Sequence, residues 1–138
     1  MNVVYAAAAY PAGVAADRIS RWTLLLIGLA LLVIADLVLA LAATPWQVFA
    51  GAGLWGLHMG LTQGLLSKLV ADNAPAELRG SAFGIFNLIS GVALLIASVV
   101  AGSLWELVGP SATFFAGAAF AAITAIGILA YRRRLEAV

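Results

Sequence analysis

Four long apolar stretches, separated only by short polar or proline-bearing turns, limit this chain more than any other feature. They are placed at about 22–43, 46–70, 79–104 and 110–132. The first is interrupted only by Asp36. The second carries His58 and Gln63, the third carries Asn87, and the core of the fourth has no charge. A helix of about 22 residues is roughly 33 Å long at 1.5 Å per residue, enough to cross the hydrocarbon core of a bilayer. Hydrophobic residues make up 64% of the 138-residue chain and charged residues 9%. A soluble fold of this size could not bury that much apolar surface. The sequence therefore predicts an all-α, polytopic transmembrane helix bundle: one domain over 1–138, with four full spans after a partial N-terminal helix at 1–16.

The same numbers remove other classes. A net charge of +1 leaves no basic face for phosphates, so no nucleic-acid partner is expected. With no cysteine and one histidine, the chain offers no disulfide framework, no thiolate site and no multi-histidine metal site. No cofactor is expected. Neither H-E-x-x-H nor G-x-S-x-G occurs, which argues against an enzyme.

The N-terminal stretch from Val3 to Ala16 is apolar but too short to span, and contains Pro11 and Gly13. It lacks a positive leading region, so a signal peptide is not expected. It reads as the end of a helix whose beginning is missing. The turns at Asp17–Arg21, Thr44–Pro45, Ala71–Gly80 and Glu106–Pro110 are short, so consecutive helices should be antiparallel neighbours. All seven Lys and Arg residues fall on one side of this topology: Arg18, Arg21, Lys68, Arg79 and Arg132 to Arg134. The positive-inside rule makes that side cytoplasmic, with the C-terminus there. The expected location is the plasma (inner) membrane.

Two segments on that side carry a resemblance. Pro11-Ala-Gly13-Val-Ala-Ala-Asp17-Arg18-Ile-Ser-Arg21 resembles the G-x-x-x-D-R-x-G-R signature of major facilitator superfamily transporters. Ala74-Pro75-Ala-Glu77-Leu-Arg79-Gly80 resembles the P-x-x-x-R-G segment found two helices later in that family. One hairpin separates them, as the family's topology requires. Ser20 stands where glycine is usual, and Trp22 where a second basic residue often sits. The resemblance covers essentially the whole chain and implies the C-terminal portion, from the end of helix eight through helix twelve. It also implies a cytoplasmic gating motif of Gly13, Asp17, Arg18, Arg21, Glu77, Arg79 and Gly80. Arg79 could pair with Asp17 or Glu77 in such a latch. The plainer alternative is a helix cap with solvated surface charges.

Polar residues inside the spans are candidates for a substrate or proton pathway: His58, Gln63, Asn87 and Asp36. Each also has a structural reading as an interhelical hydrogen bond. Asp36 is the only acid within a span, and in the family helix nine is usually peripheral, which favours the structural reading. In the hairpin around Thr44 and Pro45, His58 lies about 7 Å deeper than Asp36, so a direct bond between them would be strained. Gly56, Gly60 and Gly64 form a G-x-x-x-G-x-x-x-G face suited to close helix packing, as does Gly84 with Gly80. Trp22, Trp46, Trp105 and Tyr131 lie at span ends, as an interfacial belt requires.

The resemblance implies a secondary transporter that moves a small solute by alternating access, with proton-coupled efflux as one form, and incomplete on its own. Its partners would be the lipid bilayer, the solute, protons, and other transmembrane helices, either a missing N-terminal half or further copies of the chain. Two alternatives are a small four-helix oligomeric transporter with Asp36 as coupling acid, and a non-transporting membrane protein or gene remnant.

Overall fold

The computed structural model describes residues 2–136; the side chains of 15–18 and 134–136 lie outside the described set. Five helices follow one another: α1 (Asn2–Arg18), α2 (Arg21–Ala40), α3 (Pro45–Asn73), α4 (Arg79–Leu107) and α5 (Pro110–Glu136). A 3₁₀ turn at Ala76–Leu78 leads into α4. No strand occurs among the described residues, and the all-α helix bundle expected from the sequence is what forms.

Local chemistry sets the turns. The Ser20 hydroxyl accepts a hydrogen bond from the Thr23 amide at 3.2 Å and caps α2. Between α2 and α3, Thr44 and Gln47 form a capping box. The Gln47 amide donates to the Thr44 hydroxyl at 3.4 Å, and Gln47 Oε1 accepts from the Thr44 amide at 3.0 Å. Gln47 Oε1 also takes the Ala43 amide at 2.7 Å. Pro45 fills the first helical position, where a missing N–H costs nothing. Thr44→Ala is expected to lower stability by about 1 kcal/mol, read as a shift in the midpoint of reversible detergent unfolding. At the other hairpin the amides of Val108 and Gly109 both donate to the Leu104 carbonyl at 3.0 Å. Gly109 has φ +124°, a conformation open to glycine and strained for other residues, and Pro110 then starts α5.

The helices differ from the sequence expectation at their ends. α1 continues through Arg18 rather than ending at 16, so only Ile19 and Ser20 separate it from α2. α2 stops at Ala40, three residues short of the expected limit, because the chain at Ala43 is already engaged by the α3 cap. α4 runs on to Leu107. Three segments among the described residues are long and apolar enough to cross a membrane: Arg21–Ala40, Ala76–Leu107 and Pro110–Arg133. α3, at 29 residues, has the length, but its glycines and polar side chains dilute its apolar character.

Packing places α2 at the centre, with α3 on one side and α5 on the other; α1 lies against α3. The few buried positions are mostly small: Ala35 and Ala40 on α2, Gly51, Gly56 and Gly60 on α3, and Ala118 and Ala121 on α5, with Leu24 as a larger exception. Such residues let helix backbones approach where lipid removes any hydrophobic drive to associate. α4 contributes no buried residue. It leans on α5 through a bond from the Thr113 hydroxyl to the Ala101 carbonyl (3.2 Å) and an edge contact of Trp105 with Phe114 (6.2 Å). Large apolar side chains such as Ile85, Leu88, Leu94 and Ile96 face outward, as a bilayer demands and water would penalise.

Candidate functional site

The start of α2 and the end of α3 meet at one end of the bundle. There Arg21 Nη2 donates to Asp72 Oδ2 at 3.0 Å, with side chains 50% and 39% exposed. At the same end Trp22 of α2 meets Tyr131 of α5, ring centroids 6.1 Å apart. Those contacts bring Arg21, Asp72 and the Arg132–Arg133 pair to one end, together with the α3–α4 connection that holds Arg79. The opposite turns, around Thr44 and Gly109, carry no basic residue.

Within the expected gating motif, Arg21 is thus joined to Asp72, which the sequence reading passed over. The available signal was that Asp72 is one of the few acids on the basic side. Asp17 and Arg18 end α1, and their side chains lie outside the described residues, so an Arg79–Asp17 pair does too. Glu77 sits in the 3₁₀ turn and Arg79 opens α4, both exposed, and they are not bonded to each other. Gly13 and Gly80 face open space.

The intramembrane candidates separate onto different faces. His58 of α3 points at α2, where Nδ1 lies 2.7 Å from the Gly28 carbonyl oxygen. A carbonyl can only accept, so Nδ1 carries the hydrogen and donates. One turn on, the Thr62 hydroxyl donates to the His58 carbonyl at 2.9 Å. Gly28 makes this fit: a Cβ there would collide with the Thr62 methyl and lie 3.7 Å from His58 Nδ1. Asp36 turns instead toward α5 and rests against Gly117, where an added Cβ would be 2.6 Å from Asp36 Oδ2. The strained Asp36–His58 pairing does not form. Along α2, Gly28 and Asp36 are eight residues, about 12 Å, apart. Gln63 and Asn87 are exposed, each on the outside of its helix.

The glycine face of α3 is used in part. Gly60 meets α1, where an added Cβ would lie 2.8 Å from the Ala8 Cβ and 3.3 Å from the Tyr5 carbonyl oxygen. Gly56 is buried, whereas Gly64 and Gly84 have open space beside them. The tightest other approaches, at Gly28, Gly51 and Gly117, belong to no repeat in the sequence. A crevice of about 160 Å³ lies between α1 and α3, lined by Tyr5, Gly13, Gly64 and Lys68 among others.

Helices that bury small residues against one another, turn large apolar ones outward and gather their basic residues at one end define a polytopic α-helical membrane protein. The chain belongs to the Major Facilitator Superfamily, whose family model matches residues 1–137. It is 30% identical over 128 residues to an uncharacterized MFS-type transporter of Methanocaldococcus jannaschii, covering 93% of this chain and 32% of that protein. Over 94 residues it is 30% identical to the inner membrane transport protein YajR of Escherichia coli, 67% of this chain and 21% of that one. The class H tetracycline resistance protein of Pasteurella multocida is 25% identical over 116 residues, 84% of this chain and 29% of that one. No solved structure matches the chain. The chain therefore spans about a third or less of the length of these relatives. Members of this family are transporters, not enzymes.

Proposed function

We propose that the chain forms helices eight (its end) to twelve of a secondary transporter that moves a small solute by alternating access, with efflux driven by protons as its mode. In this reading α3 crosses the membrane with α2, α4 and α5, and the missing helices come from the rest of the transporter. The observation that carries it is the Arg21–Asp72 pair, which ties the signature segment to the far end of the next hairpin. A charge pair at that place is suited to hold one conformation of a rocking half and to part in the other. Likeness to the tetracycline resistance protein supports outward movement of a solute. Likeness to YajR supports the inner membrane, and the clustered basic residues support a cytoplasmic C-terminus.

Within this reading the pathway candidates take different parts. Gln63 and Asn87, exposed on open helix faces, are placed to meet a solute or a further helix. His58 serves to clasp α3 to α2, and Asp36 lies off the path, against α5.

Immunoblotting native membranes with an antibody to the tail at 132–138 tests this. The expected band is roughly three times the 14.2 kDa of the chain, as two six-helix halves require. A band at 14.2 kDa would overturn the reading in favour of a small chain that acts as an oligomer or does not transport.

A further inference from the structure

Asp36 is buried to all but 6% and, among the described residues, makes neither a hydrogen bond nor an ion pair. Its carboxyl group occupies the space that a side chain at position 117 would fill: an added Cβ on Gly117 would lie 2.6 Å from Oδ2 and 3.3 Å from Cγ. Around it, both helices are small and apolar, with Ala35 and Ala40 buried on α2 and Ala118 and Ala121 buried on α5.

No countercharge is near. The elements packed against α2 are α3 and α5. On α3 the titratable groups are His58, which is bound at Gly28 about 12 Å along α2, and Lys68 and Asp72 toward the basic end. On α5 they are Tyr131 and the arginines that follow it, the first of them about 21 Å along the helix from Gly117. On α2 itself only Arg21 is charged, at the same far end. A bare carboxylate would lose its hydration here without gaining a partner, whereas the neutral acid has one proton to place and helix carbonyls within its own turn to receive it. A metal cation would need several oxygen ligands, and this carboxyl group is alone.

We propose that Asp36 is a proton-binding site: the carboxyl group is held as the neutral acid in the α2–α5 interface at neutral pH, and that proton is what lets α5 seat on α2 through Gly117. The proposal does not depend on the transporter reading, because a bound proton is observable without any transport.

The test uses the full-length protein in native membranes at pH 7. Infrared spectroscopy should show the carbonyl band of one protonated carboxyl group, lost in Asp36→Asn and kept in Asp72→Asn. If Asp36→Asn does not accumulate, Asp36→Glu serves, because it keeps the acid and moves the band. Dicyclohexylcarbodiimide should label Asp36 and spare the exposed Asp72 and Glu77. In that reaction the carboxyl proton goes to one carbodiimide nitrogen and the carboxyl oxygen to the central carbon, with nothing released. Absence of the band, or a band that none of the Asp36 variants alters, overturns the proposal. Protection of Asp36 from labelling by sodium at constant pH overturns it as well, by showing a metal cation in place of the proton.

Discussion

Gly28→Val is expected to lower stability by about 2–4 kcal/mol, through overpacking and the loss of an interhelical hydrogen bond. Gly28 lies where α2 and α3 come closest to the His58 and Thr62 side chains. Its missing Cβ is what admits the Thr62 methyl, and its carbonyl is what His58 Nδ1 reaches at 2.7 Å. A branched side chain forces the helices apart and takes the bond with it. Valine has a better helix propensity than glycine, so a loss of this size cannot come from the helix itself. Gly53→Val is the control, since Gly53 sits on the same hairpin with nothing within 4 Å. It should stay within about 0.5 kcal/mol of the parent. The midpoint of reversible detergent unfolding reads both, and equal losses at the two positions would remove the packing argument.

Reversing either charge of the Arg21–Asp72 pair is expected to slow transport by about 5–150-fold, the range of a typical conformational coupling, and reversing both should restore most of it. The pair is half exposed, so its share of stability is small, about 0–1 kcal/mol. Folded yield should therefore be unchanged in Arg21→Asp, in Asp72→Arg and in the double variant. What changes is the balance between conformations that the pair biases. Solute flux in vesicles containing the full-length protein, set beside folded yield, separates these effects. A double variant as slow as the singles would show that the two residues do not act as a pair.

The helices and turns were legible because their causes are local. Apolar runs of about 20 residues, Pro45 after Thr44 and Gly109 before Pro110 each state an element or its end within a few residues. The basic end was legible for the same reason, since charge asymmetry needs only the order of spans and turns. The contacts between helices were not. Asp36 and His58 were compared by depth alone, but rotation decides. Ala35 and Leu39 face Gly51 on α3, and one residue further, about 100° around the helix, Asp36 faces α5. The glycine repeat showed that α3 could pack closely but not where; Gly60 meets α1 and Gly64 meets nothing. Gly28, Gly51 and Gly117 carry no pattern, because a single glycine becomes a contact only when another helix lies opposite it. Arg21 found Asp72 rather than an acid within its own motif because the α2–α3 hairpin returns the chain to where it began.

α4 carries Gly80, Gly84, Gly91 and Gly102, each with open space where a side chain would be. In water, four such residues would cost a helix about 3–4 kcal/mol, with no contact in this chain to offset it. In hydrocarbon the accounting changes, because an unwound backbone would leave its amides and carbonyls with nothing to bond. The solvent thereby removes the alternative against which glycine is normally judged. α4 is thus the segment whose regularity is enforced from outside, by the lipid, whereas α2 is held by its neighbours.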